Sequence, residues 1–300
     1  MKIAFWSNCE GKSGVTSNMV CMATLFSVVG AGKIVMLENH YSNRNVASML
    51  LSHRQIENLK ESGQFGKHYS MEQILKGLYT GARGDVLIHQ TAVPMLYPNI
   101  YYIPQSCTVN REVFNYEFNH VYRKLFDELE KFADYVFIDT ERNQNLSTNT
   151  ILTEADLVVV NLIQNPLKIM EFFENYSSIR EKSVYLIGEY QREIPISIRK
   201  ICYEYHIPRN KIGVIPYNME FSEAMAEGRG VQFINRNFEK ASSRENEYFI
   251  KQCKKSIEML KKNFAEVKRK KKEMFNKYIS EIINRSPNEI SLENELEEGI

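Results

Sequence analysis

The chain has 300 residues, with 38 Lys and Arg against 37 Asp and Glu, a formal net charge of +1. That balance supplies no global positive field for nucleic acid and no acidic excess of the kind that keeps a chain unfolded. At 43% hydrophobic and 25% charged residues, the composition is that of a globular protein with one main domain and an appendage.

In chain order, Lys2 to Trp6 reads as a strand, followed by a polar, Gly-containing loop to Thr16 and a helix from Ser17 to Val29 that Gly30 and Gly32 end. Ile34 to Leu37 is a short, fully apolar run, the pattern of a parallel strand covered on both faces. Tyr69 to Tyr79 reads as helix, Ile100 to Ile103 as a strand stopped by Pro104, and Arg111 to Phe132 as a long helix. Residues 80–98 give no readable pattern. Three more buried strands follow at Tyr135–Ile138, Leu157–Val160 and Val184–Ile187, and a last one at Ile212–Ile215 is stopped by Pro216. Helices at Pro166–Tyr176 and Ile196–Tyr205 separate them. The alternation predicts an α/β fold, a doubly wound and mainly parallel sheet flanked by helices, over residues 1–240.

Beyond residue 240 the strand signal stops. Ile250, Cys253, Ile257, Leu260, Phe264 and Val267 form one apolar stripe at helical spacing. Residues 251–277 hold eleven Lys or Arg and three Glu, a net of +8, while residues 278–300 hold one Arg and six Glu, a net of −5. The expectation is a basic amphipathic helical extension over 241–285 and an acidic, disordered tail over 286–300. The simplest role for the helix is docking on its own sheet; its 249–278 segment also suits anionic lipid or a partner helix. Cys9, Cys21, Cys107, Cys202 and Cys253 are dispersed and form no C-x-x-C pair, which argues against a disulfide framework and fits reduced thiols. No run approaches the roughly 20 apolar residues of a membrane span, and the apolar run at the N-terminus is too short for a secretory leader. The reading is a cytoplasmic protein whose contact with the inner face of the membrane, if any, is peripheral.

The loop after the first strand carries the clearest chemistry. Gly11, Lys12, Ser13, Gly14, Val15, Thr16 and Ser17 combine glycines and hydroxyls before a helix, which suits a phosphate cradled by backbone N–H groups at a helix N-terminus. A standard P-loop is G-x-x-x-x-G-K-[ST]; Gly11-Lys12-Ser13 imitates its end, but Trp6 stands where its first glycine belongs. On the loop alone, a tight turn into a capped helix with no ligand is an equal alternative. Six scattered histidines show no ligand spacing, so no metal site is expected from them; His40 is placed in a surface or hydrogen-bonding role ahead of catalysis.

Three further segments resemble the ParA/MinD family of deviant P-loop ATPases, of the SIMIBI class. Phe132-Ala-Asp-Tyr-Val-Phe-Ile-Asp139-Thr140 is similar to the family's Walker B strand, and Ala155-Asp156-Leu-Val-Val-Val160 to the strand after it. Gly213-Val-Ile-Pro216-Tyr-Asn218-Met-Glu-Phe-Ser222-Glu223-Ala224, with Gly228 and Val231, resembles the family's "vIPrnvrlsEA…G.pv". The opening Met1 to Ser7 and the Thr16 to Met19 segment are similar to a divergent branch, the TadZ-like Flp pilus assembly proteins. The resemblance implies ATP or ADP with Mg2+ as cofactors and a homodimer sandwiching nucleotide. It also implies a protein partner in a larger assembly, and no specific nucleic-acid binding is expected. It implies that Gly11, Gly14 and Thr16 hold phosphate and Mg2+, that Asp139 supports Mg2+ through water, and that Pro216, Tyr217 and Asn218 border the base.

The departures bear on hydrolysis. In the register that keeps both glycines and both hydroxyls, Glu10 replaces the family's signature lysine and Val15 its phosphate-binding lysine; a rival register seats Lys12 on the signature lysine. The family's D-x-D is here Glu38-Asn39-His40, and Gly188-Glu189 stand where its base-contacting pair belongs. Losing one charge-stabilising donor costs about 100–1,000-fold in rate, so weak or no hydrolysis is expected. The catalytic candidates are Lys12, Glu38 and His40. A slow ATPase using Lys12 and a nucleotide-independent scaffold remain alternatives.

Overall fold

The computed structural model describes residues 1–9, 13–40, 45–63, 69–95, 99–106, 110–142 and 145–284, with side chains described through residue 280. It divides into two units, Met1–Leu260 and Lys261–Ile300.

The first unit is built on eight strands: β1 Lys2–Trp6, β2 Ile34–Asn39, β3 Val93–Pro94, β4 Ile100–Tyr102, β5 Tyr135–Thr140, β6 Leu157–Leu162, β7 Ser183–Tyr190 and β8 Ile212–Pro216. They form one sheet in the order β3-β4-β2-β5-β1-β6-β7-β8. Every pairing is parallel except β3 with β4. The helices are α1 Val15–Val28, α2 Val46–Leu50, α3 His53–Glu61, α4 Met71–Tyr79, α5 Gly84–Thr91, α6 Arg111–Phe132, α7 Leu146–Glu154, α8 Pro166–Asn175, α9 Ser177–Arg180, α10 Ile198–Glu204, α11 Met219–Ala226, α12 Gly230–Phe238 and α13 Arg244–Asn284. The doubly wound α/β expectation is met. The unreadable stretch 80–98 supplies α5 and the short edge strand β3, neither long enough to leave a periodic signature.

Side chains alternate across the sheet, and the two faces divide the core. Ala4 and Trp6 of β1 point to the face that also buries Val136, Ile138, Val158 and Val160, together with Phe118 and Leu125 of α6 and Phe172 of α8. Phe5 points to the other face, where its ring lies 5.1 Å from that of Phe137, and Phe26 of α1 packs 6.0 Å from Phe137. On the first face Trp6 is 1% exposed and packs 4.9 Å from the ring of Tyr176 and 6.3 Å from that of Phe172. The tryptophan at the position of a P-loop's first glycine is therefore a core residue.

The helix expected after residue 240 begins at Arg244, and its residues up to Leu260 belong to the first unit. Phe249, Cys253, Ile257 and Leu260 are buried. Phe249 joins Phe221 of α11 and Phe233 of α12, with ring separations of 4.6 and 5.7 Å. Ser256 Oγ accepts from the Val214 N–H at 2.9 Å and donates to the Val214 carbonyl at 2.7 Å, so this helix satisfies polar backbone on the last strand of the sheet, an edge that would otherwise pair with other chains. Gly213 permits that approach, since a Cβ there would lie 2.5 Å from Ser256 Oγ.

In the second unit the helix continues from Lys261 to Asn284. Lys268 to Lys272 are exposed, with ion pairs Lys270–Glu266 and Arg269–Glu273 at 2.8 Å. Met274, Phe275, Tyr278 and Ile279 are also exposed, at the spacing of one helix face. No described helix is long and apolar enough to cross a membrane. The expected tail over 286–300 lies outside the described residues.

Candidate functional site

The site lies at the carboxyl ends of β2, β5 and β1, which are consecutive in the sheet, where ligands bind in open α/β folds. Ser7 to Cys9, after β1, and Ser13 and Gly14, before α1, are the described ends of the β1–α1 connection. Gly11 and Lys12 lie outside the described residues; Ser13 to Ser17 lie within them. Helix α1 begins at Val15, two residues before the start read from the sequence, because Gly14 takes a left-handed conformation (φ 64°, ψ 26°) and turns the chain into the helix. Val15 and Thr16 thereby become first-turn residues, and the Ser17 hydroxyl donates to the Gly14 carbonyl at 3.0 Å. Gly14 gives α1 no side-chain cap and the first turn holds no acidic residue, and the positive end of the helix dipole suits an anion.

A buried amide network fixes the loop to the sheet. Asn18 Nδ2 donates to Asn161 Oδ1 at 2.8 Å, and Asn161 Nδ2 donates to the Val159 carbonyl at 3.1 Å. The Ser7 hydroxyl donates to the Asn161 carbonyl at 2.7 Å and accepts from Cys9 N–H at 3.1 Å. Gly188, at the end of β7, leans on the same place: a Cβ there would lie 2.6 Å from Asn18 Nδ2 and 3.1 Å from the Ser13 carbonyl. Sequence reasoning missed Asn18 and Asn161. The available signal was an asparagine following the apolar run Leu157–Val160, where an unpartnered amide would be costly.

At the ends of β2 and β5 lies a buried cluster of charge. The register of β2 against β5 sets Glu38 opposite Asp139, and that of β1 against β5 sets Phe5 opposite Asp139. His40 follows the end of β2, and its Nε2 lies 2.8 Å from Asp139 Oδ2 and 3.9 Å from Glu38 Oε1. Glu38, His40 and Asp139 are 4%, 8% and 1% exposed. Glu38 accepts from the Val46 N–H through Oε1 and from the Tyr102 hydroxyl through Oε2. Burial pushes its carboxyl up to about 7, against the opposing pull of His40, Tyr102 and the Val46 N–H. Burial alone lowers the imidazole of His40, but Asp139, with Glu38 and Glu141 beyond it, outweighs that and raises it to about 9.

His40 has the hydrogen-bonding role read for it, though buried and not on the surface. The absence of metal-ligand spacing did not anticipate this cluster, in which each residue offers one ligand atom within 4.8 Å of the others; β2–β5 pairing joins groups 99 positions apart. The donor set does not suit Mg2+, a hard cation that demands near-ideal octahedral oxygen coordination. One donor is an imidazole nitrogen, held 2.8 Å from Asp139 Oδ2. Glu38, read as a catalytic candidate, already accepts through both oxygens.

The segment read as bordering the base lies farther away. Pro216, Tyr217 and Asn218 follow β8, three places from β1 in the sheet, about 14 Å at ordinary strand spacing. Tyr217 is half-exposed, and its N–H donates to the Tyr190 carbonyl at 3.0 Å. Asn218 is buried; it caps α11 by accepting from the Phe221 N–H at 2.8 Å and donates to Asn246 Oδ1 at 2.8 Å. Its side chain therefore joins α11 to α13.

No protein-family model matches this sequence, and none of the curated proteins matches it. Solved structures share the fold. The septum site-determining protein MinD complexed with Mg-ADP from Pyrococcus horikoshii OT3 superposes with a TM-score of 0.63 at 15% identity, covering 85% of this chain and 96% of that one. A ParA family ATPase from Chlorobium tepidum TLS gives 0.61 at 12% identity, covering 84% and 96%. The MinC:MinD cell division protein complex of Aquifex aeolicus gives 0.60 at 14% identity, covering 85% and 95%. The chain has the fold of the ParA/MinD ATPases.

Proposed function

We propose that this chain is a ParA/MinD-like nucleotide-binding protein that hydrolyses ATP weakly or not at all and acts as a dimeric spatial organiser or assembly factor. The observation that carries the reading is the start of α1. A left-handed Gly14 opens the positive helix end at the tip of β1, next to β5, in a fold whose MinD example holds Mg-ADP. In this reading Gly11, Ser13, Gly14, Thr16 and Ser17 surround phosphate, and Pro216 to Asn218 close the base side. Val15 in place of a lysine, and His40 in place of a carboxylate, favour binding over turnover.

The partner belongs to a larger machine, of which the Flp pilus apparatus is the one the TadZ-like resemblance suggests; the MinD structure in complex with MinC is a precedent for a protein partner in this fold. The exposed Met274, Phe275, Tyr278 and Ile279, next to Lys268 to Lys272, suit peripheral contact with an anionic membrane. Replacing Phe275 and Ile279 by Glu in the full chain should abolish co-sedimentation with anionic vesicles; unchanged pelleting would remove the membrane contact.

Calorimetric titration of ATP and ADP into the full chain and a Thr16→Ala variant tests the central reading. Wild type is expected to bind below millimolar concentration and the variant more weakly. No binding by wild type would overturn the reading in favour of a scaffold without nucleotide. Turnover at the rates of ordinary family members would overturn the claim of weak hydrolysis.

A further inference from the structure

We propose that a cavity at the amino ends of β7 and β8 is a second ligand site, built to take a small, singly charged aromatic carboxylate. It lies at the end of the sheet opposite the candidate nucleotide site and does not depend on that reading.

The cavity has a volume of about 360 Å3, at the small end of the range for ligand sites. Phe173 of α8, Tyr185 of β7 and Tyr205, which follows α10, form an aromatic wall. Phe173 and Tyr185 are buried. The ring of Tyr205 stacks on that of Phe173 with centroids 4.3 Å apart, and the ring of Tyr185 stands 5.6 Å from the same phenylalanine. The wall is packed against itself before any ligand arrives, which spares a ligand the cost of ordering it.

Arg180, at the end of α9, and Lys211, just before β8, bring positive charge to this wall. Arg180 is held in place, its guanidinium 5.2 Å from the Phe173 ring and its Nη1 donating to the Phe173 carbonyl at 3.3 Å. Further donors remain on a planar fork whose geometry matches a carboxylate. Lys211 is half-buried and makes no ion pair or side-chain hydrogen bond among the described residues. Glu181 also lines the cavity, so the two cations exceed it by one formal charge, which complements a monoanion better than a phosphate dianion. Tyr185 adds a neutral donor: burial outweighs the nearby Arg180 and pushes its hydroxyl up to about 12, so it stays protonated. His206 joins the lining from a left-handed backbone (φ 53°), where the Ile207 N–H closes the end of α10 on the Cys202 carbonyl at 3.0 Å. Such helix ends usually take glycine or asparagine. The histidine instead puts an imidazole on the cavity, with no side-chain partner among the described residues, and strained positions of this kind collect where ligands are clamped.

Fluorine NMR titration of the full chain with 4-fluorobenzoate, 4-fluorobenzamide and 4-fluorophenyl phosphate tests the site. Wild type should bind 4-fluorobenzoate saturably, with a Kd at or below about 1 mM, and the neutral amide at least about tenfold more weakly. The phosphate should bind more weakly than the carboxylate. Lys211→Gln and Arg180→Gln should each weaken 4-fluorobenzoate by about five- to tenfold, and Tyr185→Phe, which keeps the ring, by about fivefold. Lys200→Gln, on the exposed side of α10 and outside the lining, should leave the affinity unchanged. Urea midpoints of the variants confirm that each is folded, and a variant that does not fold leaves the other two and the three ligands to decide. No saturable binding by wild type overturns the proposal. Equal affinity for the amide, or tighter binding of the phosphate, overturns the carboxylate assignment. Undiminished binding by folded Lys211→Gln and Arg180→Gln places the ligand elsewhere and overturns the site.

Discussion

If His40 is held as a cation by Asp139, the two must show a large, pH-dependent coupling free energy. The perturbation is a double-mutant cycle of His40→Gln, Asp139→Asn and the pair. Both residues are almost fully buried, so solvent screening does little to reduce the interaction. Carrying an imidazole from its ordinary 6.5 to about 9 corresponds to about 3 kcal/mol between its two protonation states. That is the net effect after burial has worked against the charge. Each single variant leaves a buried group without its counterpart, a loss of about 3–5 kcal/mol, while the double variant removes both charges and should recover much of it. The expected coupling at pH 6.5 is about 2–3 kcal/mol. The sign follows from the raised value: the folded state holds the proton more tightly than the unfolded chain, so the contribution is complete below 6.5 and is lost as the pH rises through about 9. Urea denaturation of the four proteins at pH 6.5 and 9.5 measures it. Additive single variants at pH 6.5, or an undiminished coupling at pH 9.5, would refute the charged pair.

Trp6→Gly, which restores the glycine of a standard P-loop, should cost about 3–5 kcal/mol in urea denaturation through the cavity left against Phe172 and Tyr176, and should not improve nucleotide affinity; tighter binding would show that Trp6 obstructs the loop. Gly188→Ala places a Cβ against Asn18 and the Ser13 carbonyl, so it should lose about 1–3 kcal/mol and weaken nucleotide binding. An alanine variant as stable as wild type would mean that β7 does not brace the loop. Ser256→Ala leaves the Val214 N–H and carbonyl without the hydroxyl that serves both, at a cost of about 1–3 kcal/mol; no change in the urea midpoint would separate α13 from the stability of the edge strand.

The alternation of apolar runs and helical patterns was enough to read the sheet, because strands buried on both faces carry continuous hydrophobic signals. The same signal stopped short wherever the site begins. The run Ile34–Leu37 continues as strand through Glu38 and Asn39, Tyr135–Ile138 through Asp139 and Thr140, and Leu157–Val160 through Asn161 and Leu162. These strand ends hold polar groups with partners, which hydropathy cannot distinguish from the start of a loop. Asp139 and His40 were each visible as candidates from the motif order. Their pairing was not, since β2–β5 register is a property of the folded sheet. Gly14 was legible as a loop glycine before a helix, whereas its left-handed conformation, on which the early start of α1 depends, was not. The seat of α13 on β8 was hidden for a similar reason. Its stripe revealed an amphipathic helix, but Ser256, whose hydroxyl serves both Val214 backbone groups, is an ordinary polar residue in the linear pattern.

Hydrogen–deuterium exchange of the full chain with and without saturating ADP tests the central claim most directly. Nucleotide seated on the β1–α1 loop predicts slowed exchange in peptides covering Ser7 to Cys21, with smaller protection at the ends of β2 and β5. Unchanged exchange across Ser7 to Cys21, or protection confined to other parts of the chain, would contradict it.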